Sequence, residues 1–600
     1  MARGAKLGIG LSLSAAIVAV TPSPALAQNA PPAPQVAGQG APTRGEIDRP
    51  ELREDQRGPA RVSVEGEAER PPCALDEPRF QDIRVTVGNI QFDGLKGLPP
   101  EALRSSYEAF AGTSQPISVV CRIRDAAAEI LRREGYLAVV QVPPQTIQDG
   151  AIRFQVVMGK LVSVHIRGDA GPAERTIAGY LAQVRDQEVF NTHEAERYIL
   201  LARDLPGYEV RLVLKPAGTA PGELIGELIV EHRPLDVDFS INNFGSHSVG
   251  RFGGVVRAQL YGLTGLADRT TLAAYSTADF EEQQIYQIAH DFRLGSEGFD
   301  AGARLAYALT RPELADGSDP IRAKTLLATF EAGYGFVRSR ARNLHVGVGL
   351  DLIDQKIRFA GQPFNEDKLR VAFARLDFNA GDDTARRVAG YSLSEPRWSL
   401  AASLELRKGL SLLNASDRCA NPQCAGVAVS PSRPEGDPRA ALVRFFGTAE
   451  VRPAPNFTLA VTSRAQYASK PLFAFEEFTG GNYTIGRGYD PGTIAGDKGV
   501  GVQAEVRVGS LVPKSATALA VQPFAFVDAV WVWNEDRFTV GVRKDDLVSV
   551  GGGVRAAYGD KARLDLFAAV PTKRAGLQAS KGDVRVMMSL TVRLWPWKRD

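Results

Sequence analysis

The chain has 600 residues, of which 44% are hydrophobic and 8% aromatic, and its 71 basic residues nearly balance its 69 acidic residues. This length allows several domains. The near-neutral charge and the lack of blocks of like charge give no reason to expect nucleic acid as a partner.

An export signal occupies residues 1–27. Arg3 and Lys6 precede an apolar run from Leu7 to Val20, and Ala25-Leu26-Ala27 stands ahead of Gln28. This pattern is typical of a Sec signal peptide cleaved after Ala27. A membrane anchor helix is the alternative, but the run is shorter than the ~20 residues needed to span a bilayer. We therefore expect the mature chain to leave the cytoplasm.

Residues 28–75 are rich in Pro, Ala, Gly and Gln and contain almost no large apolar side chain. Such a segment cannot bury enough surface to offset the entropy lost on ordering, which predicts a flexible linker. Its charges cluster between Arg44 and Arg70. One short helix from Glu46 to Gln56 is conceivable.

Residues 80–159 have the pattern of a small α+β unit. The predicted elements, in order, are a strand over Ile83–Phe92 with a break at Gly88, a helix from about Pro99, a helix with Ile123, Ala127, Ile130 and Leu131 on one face, and strands over Leu137–Val142 and Ala151–Met158. Gly135 lies where a left-handed helix cap is needed.

The same order repeats over residues 160–233, so the sequence predicts two tandem units. The predicted elements of the second unit are a strand over Leu161–Arg167, a helix over about Ala173–Val184, a helix capped by Asn191 with Glu194, and strands over Tyr208–Lys215 and Glu223–His232.

Residues 235–600 show hydrophobic alternation with a period of two almost throughout. Val502, Ala504, Val506 and Val508, for example, alternate with Gln503, Glu505 and Arg507. A soluble β-sandwich would also alternate. Segments near the ~10 residues of a tilted transmembrane strand favour a membrane β-barrel, as do aromatic residues at segment ends (Tyr261, Trp531, Trp533, Trp595 and Trp597). Roughly 23 residues per strand and connection predict about 16 strands.

Four cysteines fit an oxidising compartment. Cys419 and Cys424 lie close together in a loop-like segment and predict one disulfide, and Cys73 and Cys121 could form a second. A four-cysteine zinc site is the alternative, but paired C-x-x-C knuckles are missing. We expect no metal.

Enzyme motifs are missing from the sequence. Six histidines are scattered, and no H-E-x-x-H, G-x-S-x-G or P-loop pattern occurs. We expect neither a catalytic residue nor a cofactor.

A long connection between two strands, over about residues 472–499, contains Arg487-Gly488-Tyr489, and long ordered connections are usually functional. In the strand up to Trp533, alternation turns Phe524, Phe526 and Asp528 toward the lumen. Lumenal phenylalanines need a packing partner, so we predict that the loop folds inward and that Arg487 pairs with Asp528. The alternatives are an external turn and an ordinary hydrated carboxylate.

The chain resembles the two-partner secretion transporters, the FhaC and ShlB-like haemolysin secretion/activation proteins of Gram-negative outer membranes. Three segments carry the resemblance: Glu196-Arg197-Tyr198-Ile199-Leu200-Leu201 with Asp204-Leu205-Pro206-Gly207; Gly135-Tyr136, Pro143-Pro144-Gln145 and Asp149-Gly150; and Glu477-Phe478-Thr479-Gly480-Gly481 to Arg487-Gly488-Tyr489 with Phe526-x-Asp528. Gly486 and Val530 depart from the usual pattern, and the family's N-terminal plug helix is not evident in the sequence.

The resemblance implies two tandem α+β POTRA domains in the periplasm followed by an antiparallel, monomeric 16-stranded transmembrane β-barrel in outer-membrane lipid. It implies transport of a large exoprotein (TpsA type) to the cell surface, with the Arg487 loop as a lumenal latch. An assembly factor for other barrels and a passive porin are the alternatives. The sequence leaves open whether the client is an adhesin, a haemolysin or a toxin.

Overall fold

The structure is a computed structural model. It describes residues 40–49, 73, 75, 77–313, 320–384, 388–419, 424, 428–536, 543–576, 578 and 580–596. The predicted signal peptide, most of the predicted linker and Trp597 lie outside these residues. Among the described residues, no helix has both the length and the apolar character needed to cross a membrane.

The first α+β unit has a three-stranded sheet in the order β2-β5-β4. Its strands are β1 (Arg84–Thr86), β2 (Ile90–Asp93), β3 (Ser114–Pro116), β4 (Ala138–Gln141) and β5 (Ile152–Met158). Strands β1 and β3 form a separate two-stranded sheet. The helix predicted from Pro99 is two short 3-10 segments, Pro100–Ser106 and Glu108–Phe110. The amphipathic helix Val119–Arg133 buries Ile123, Ala127 and Leu131 against the sheet.

The second unit repeats this sheet connectivity with longer strands. It contains β6 (Lys160–Gly168), the helices Glu174–Arg185 and Thr192–Arg203, β7 (Tyr208–Pro216) and β8 (Glu223–His232). The order is β6-β8-β7, with β6 parallel and β7 antiparallel to β8. The Asn191 side chain accepts hydrogen bonds from the backbone N–H groups of His193 and Glu194, which caps the second helix.

Sixteen antiparallel strands close into a barrel, as the sequence predicts. They are β9 (Leu235–Asn242), β10 (Gly253–Tyr261), β11 (Arg269–Thr277), β12 (Gln283–Leu294), β13 (Phe299–Thr310), β14 (Ile321–Arg338), β15 (Arg342–Phe359), β16 (Gln362–Gly381), β17 (Trp398–Gly409), β18 (Ala441–Ala454), β19 (Phe457–Ala468), β22 (Lys498–Val508), β23 (Leu519–Trp533), β24 (Lys544–Tyr558), β25 (Ala562–Pro571) and β26 (Arg585–Trp595). The last strand, β26, pairs with the first, β9.

The two faces of each barrel strand differ because successive side chains point to opposite sides. On β23, Gln522, Phe524, Phe526 and Asp528 are buried inside, and Val521 and Val527 are exposed outside. Exposed Leu, Val, Phe and Tyr side chains recur around the outer surface. An apolar exterior with a polar interior is typical of an outer-membrane barrel.

The structure differs from the sequence-based expectation at residues 40–49, which fall in the predicted flexible linker. These residues lie inside the barrel, where Arg44–Ile47 form one helical turn. Thr43 and Glu46 make reciprocal capping bonds, and Ile47 is completely buried in a cluster with Tyr275 and Phe473. A capped turn and specific partners therefore order a segment that has little hydrophobic content.

Both cysteine pairs are joined in the structure. Cys73 is bonded to Cys121 on the first long helix, and Cys419 is bonded to Cys424 between β17 and β18. The first bond fixes Cys73 to the first α+β unit.

Candidate functional site: the closed lumen of the barrel

The connection between β19 and β22 folds into the barrel. It comprises residues 469–497 and contains a 3-10 turn at Ala474–Glu476 and a small hairpin of β20 (Phe478–Gly480) with β21 (Ile494–Gly496). Phe478, Ile485 and Tyr489 pack against buried residues of β23 and β24. We call residues 469–497 the lumenal loop.

Arg487, at the tip of the lumenal loop, forms a two-point ion pair with Asp528 on β23. Its Nη2 donates to Asp528 Oδ1 at 2.8 Å, and its Nε donates to Oδ2 at 3.0 Å. The Arg487 backbone N–H donates to the same Oδ2 at 2.9 Å. The Asp528 side chain is completely buried, so one carboxylate holds both the side chain and the main chain of the loop.

Glu505 on β22 is a third member of this site that the sequence reasoning missed. Arg487 Nη1 donates to Glu505 Oε1 at 2.6 Å, and Arg555 donates to both Glu505 oxygens at 3.0 Å. Glu505 also accepts a bond from Arg507. The sequence does contain a pattern that could identify Glu505, because the alternation on β22 places this residue on the polar face of the strand.

Phe524 and Phe526 each carry one arginine on the ring face. The Arg487 guanidinium carbon lies 3.5 Å from the centroid of Phe526, and that of Arg555 lies 4.0 Å from the centroid of Phe524. A cation held over an aromatic face is attracted to the negative centre of the ring. Each of the two lumenal phenylalanines therefore packs against the guanidinium of one arginine of the charged network.

Gly488 and Tyr489 fix the loop tip against β24 and β25. The Tyr489 hydroxyl lies 2.8 Å from Lys573 O and 3.0 Å from Val548 O. A Cβ on Gly488 would lie 2.8 Å from Ser549 Cβ and 3.0 Å from Pro571 N. Only glycine fits this approach without movement of the barrel wall.

The two departures from the family pattern are accommodated locally. Val530 is completely buried, and a Cβ on Gly480 would lie only 2.9 Å from its Cγ1. The glycine of the loop hairpin therefore makes room for the added bulk. Gly486 has φ of +121°, a conformation that side chains with a Cβ rarely adopt.

Residues 40–49, which we call the N-terminal segment, bind a second pair of buried carboxylates, Asp351 on β15 and Glu476 of the lumenal loop. Arg44 donates to Asp351 at 2.9 Å and to Glu476 at 3.0 Å. Arg407 on β17 also donates to both, at 2.7 and 3.0 Å. One arginine from the segment and one from the wall thus share the same two carboxylates.

Arg49 anchors the other end of the N-terminal segment. Its side chain is completely buried, and the guanidinium carbon lies 3.7 Å from the ring centroid of Tyr275 and 4.5 Å from that of Tyr483. Arg49 donates to Gln283 Oε1 at 3.0 Å. Since Tyr483 belongs to the lumenal loop, the segment and the loop together fill this part of the lumen.

Arg433, in the connection between β17 and β18, joins the two ends of the lumenal loop. It donates to Glu477 at 2.7 Å, to Asp497 at 2.6 Å and to the Leu472 carbonyl at 3.0 Å. It also pairs with Asp536 in the connection after β23. No local sequence pattern identifies Arg433, because its partners are far apart along the chain.

The residues Glu196, Arg197 and Asp204 lie where the second α+β unit meets the barrel. Arg197 donates to the carbonyls of Glu297 and Gly335 at 2.9 and 2.8 Å. The Glu297 carbonyl belongs to the turn after β12, and the Gly335 carbonyl belongs to β14. Arg197 therefore holds backbone at the barrel end that faces the α+β units.

Two ion pairs complete this junction. Asp204 accepts two bonds from Arg338, at 2.5 and 2.7 Å. Glu196 pairs with the Arg340 side chain, whose Nε lies 3.3 Å from Oε1, and also accepts a bond from the Arg340 backbone N–H at 2.6 Å. Burial, together with the charges of Arg338 and Arg340, lowers the pKa of the neighbouring Arg203 to about 10, against the opposing attraction of Asp204. Arg203 remains a cation at neutral pH.

Pro206 and Gly207 end the helix-to-strand turn at the same junction. Gly207 has φ of +78°, and a Cβ there would lie 2.5 Å from the side chain of Tyr261 on β10. Glycine therefore allows the turn before β7 to lie directly on a barrel side chain.

Comparisons with known proteins agree with this architecture. The family model "Haemolysin secretion/activation protein ShlB/FhaC/HecB" matches residues 229–556, and the model "POTRA domain, ShlB-type" matches residues 85–159. No curated protein sequence gives a match.

Solved structures share the fold. CdiB from Escherichia coli superposes with a TM-score of 0.67 at 15% identity, covering 88% of this chain and 93% of that one. CdiB from Acinetobacter baumannii has a TM-score of 0.58 at 18% identity and covers 90% and 95%. BamA from Haemophilus ducreyi, lacking POTRA domains 1–3, has a TM-score of 0.50 at 14% identity and covers 85% and 100%.

The family match covers more than half of the chain and includes most of the barrel with its lumenal loop. This family consists of transporters, not enzymes. The chain therefore belongs to the ShlB/FhaC/HecB family of haemolysin secretion/activation proteins and is an outer-membrane transporter of two-partner secretion, with its POTRA domain in the periplasm.

Proposed function

We propose that the barrel conducts one large exoprotein of the TpsA type, in an extended state, and that the lumenal loop and the N-terminal segment must leave their present positions for it to pass. The observation that carries this proposal is the mode of closure. Arg487, Arg44 and Arg49 hold the lumen shut through ion pairs, hydrogen bonds and ring contacts. These non-covalent contacts can exchange with an entering chain.

The second α+β unit, residues 160–233, is proposed to be a second POTRA domain. Its sheet order and strand directions match those of residues 80–159, which include the region matched by the POTRA family model. In each sheet, the first and second strands form the two edges around the last strand. An extended client could add to such an edge through main-chain hydrogen bonds, with little demand on its sequence.

The driving force is proposed to be folding of the client outside the cell. The chain contains no P-loop pattern that would bind nucleotide. We propose a monomeric barrel in outer-membrane lipid as the working unit, since sixteen strands of one chain close around the lumen. The signal peptide over residues 1–27 accounts for export.

The experiment compares secretion by wild type, Arg487→Ala and Asp528→Ala in a strain that lacks the native copy. We expect both variants to assemble as heat-modifiable barrels and to lose secretion of a single large protein. Arg563→Ala, which removes an exposed ion pair with Asp565, is the matched control and should secrete normally. Secretion at the wild-type rate by both loop-site variants would refute the latch.

The barrel-assembly alternative makes a different prediction for the same strain. Depletion of an assembly factor would reduce many outer-membrane proteins, and depletion of a dedicated transporter would remove one secreted protein. Deletion of residues 80–232 distinguishes a passive porin from a transporter. A passive porin would keep its function without these residues. Loss of secretion in this deletion supports reception of the client by the α+β units.

A further inference from the structure

The outer surface of the barrel carries a basic cluster at the ends of β14, β15 and β16 that lie farthest from the α+β units. Arg322 and Lys324 on β14 and Lys356 and Arg358 on β15 are all exposed. Their neighbours Ile321, Ala323 and Ile357 are buried inside, so the four basic side chains point outward. We call these four residues and Lys368 on β16 the rim cluster.

The strand register sets like charges directly opposite each other. Arg322 pairs with Arg358 across the ladder, and Lys324 pairs with Lys356. Directly opposed side chains lie about 5 Å apart at Cβ, and like charges in this position are destabilising. The backbone ladder fixes the Cβ positions, so the four basic side chains all extend from one small area of the outer surface.

Acidic side chains of the described residues do not balance the rim cluster. Glu366 is shared by Lys356 and Lys368, at 3.2 and 3.1 Å. Asp354, the other outward carboxylate, pairs with Arg370 at 2.8 Å. Within the part of the chain that the structure describes, Arg322, Lys324 and Arg358 have no ion pair. Among the described residues, positive charge therefore exceeds negative charge on this part of the outer surface.

Along the barrel axis, the rim cluster lies at the edge of the band of apolar side chains on the outer surface. Outward Tyr286, Tyr307 and Leu326 are cross-strand neighbours in one row, and Lys324 lies one outward position beyond Leu326. Tyrosine is enriched at membrane–water interfaces. The stretch of β14 from Leu326 to Phe336, at about 3.3 Å per residue and a tilt of about 40°, covers about 25 Å, the height of the apolar band of such barrels. The cluster is therefore at the level of lipid headgroups.

We propose that the rim cluster binds the phosphate groups of an outer-leaflet lipid. Arginine and lysine form short, charge-assisted hydrogen bonds with phosphate oxygens. A lipid fits better than a soluble anion because the cluster is continuous with the apolar band. The adjoining surface has an apolar groove of about 420 Å³ lined by Val256, Leu272, Tyr286, Leu305 and Tyr307, which can take an acyl chain. The phosphates supply counter-charge to Arg322, Lys324 and Arg358, for which the described residues provide no ion pair.

The test measures binding of diphosphorylated lipid A to the full chain in detergent, beside two comparison ligands. One comparison ligand is the same glycolipid with both phosphates removed, and the other is inorganic phosphate. For the wild type, we expect binding of the diphosphorylated lipid to be at least tenfold tighter than that of the dephosphorylated lipid, and no binding of inorganic phosphate at the same concentration. Equal binding of the two lipids, or equal binding of inorganic phosphate, would overturn the proposal without use of any variant.

A second experiment uses two variants. The fourfold variant replaces Arg322, Lys324, Lys356 and Arg358 by Gln, and the double variant replaces only Lys324 and Lys356. We expect the fourfold variant to lose the preference for phosphorylated lipid and the double variant to lose part of it. The matched control makes the same charge change at four exposed residues elsewhere, Lys160, Arg175, Arg211 and Arg342. It should bind like the wild type. A fourfold rim variant that is heat-modifiable and still prefers the phosphorylated lipid would contradict the assignment.

Discussion

Arg487 and Arg407 each bind carboxylates that come from different elements of the lumen. Arg487 joins Asp528 on β23 to Glu505 on β22, and Arg407 joins Asp351 on β15 to Glu476 of the lumenal loop. A planar guanidinium can bridge two carboxylates with separate N–H groups, and an ammonium acts as a single point charge. At the residue scale, closure therefore depends on the shape of the cation as well as on its charge.

Arg487→Lys tests this dependence on shape. The variant keeps the positive charge but cannot make the paired bonds to Asp528 while also reaching Glu505. We expect secretion to fall at least tenfold while the barrel remains heat-modifiable. Arg563→Lys at the exposed pair with Asp565 is the control for the same exchange. If Arg487→Lys secretes like the wild type, charge alone holds the loop.

Gly488→Ala tests the close approach of the loop tip to the wall. The added Cβ would meet Ser549 Cβ at 2.8 Å and Pro571 N at 3.0 Å, and the second atom is backbone that cannot rotate away. Overpacking of this kind costs about 1–3 kcal/mol. We expect faster proteolysis of the lumenal loop and reduced secretion. Gly381→Ala, whose new Cβ would meet nothing closer than 3.7 Å, should behave like the wild type.

At the element scale, the helix Thr192–Arg203 and the turn after it dock the second α+β unit on the barrel. Arg197 donates to two backbone carbonyls, and Asp204 forms a two-point pair with Arg338. These bonds fix the orientation of the unit on the barrel. The residues that resemble the family's second-domain pattern therefore position the domain, and their side chains are occupied at this junction.

Charge reversal at Asp204 and Arg338 tests the docking role. We expect Asp204→Arg to weaken secretion through repulsion from Arg338, and the double variant Asp204→Arg with Arg338→Asp to recover a large part of it. Hydrogen exchange of the turn at residues 339–341 provides a readout independent of secretion. A double variant as defective as the single one would mean that Asp204 acts on something other than Arg338.

The sequence predicted elements best where a short-range pattern determines them. Period-two alternation gave the barrel and the inward face of β23, including Phe524, Phe526 and Asp528. It could not identify Arg433, whose partners Glu477, Asp497 and Asp536 are distant in sequence. The composition of residues 40–49, with almost no large apolar side chain, predicts a linker. Their order comes from partners in the barrel, and only the Thr43 and Glu46 capping pair was visible locally.

At the scale of the whole molecule, the N-terminal segment and the lumenal loop act as one closure. Arg44 binds Glu476 of the loop, and Arg49 stacks on Tyr483 of the loop. Movement of either part removes partners from the other. Release of the lumen is therefore expected to be cooperative.

Deletion of residues 40–49 tests this closure. We expect the purified protein in planar bilayers to conduct ions more strongly, because the deletion removes the completely buried Ile47 and Arg49 from the lumen. Arg44→Gln, which removes one charge but keeps the segment, should give a smaller increase. Conductance equal to that of the wild type after the deletion would show that the loop alone closes the barrel.

The central claim is that the client crosses the membrane through this lumen. Photocrosslinking residues introduced at two adjacent positions of β14 test it during active secretion. Thr325 is completely buried on the inner face, and Leu326 is exposed on the outer face. We predict crosslinks to the client from position 325 and none from position 326. Crosslinks from position 326 only, or from neither position while secretion continues, would contradict the account.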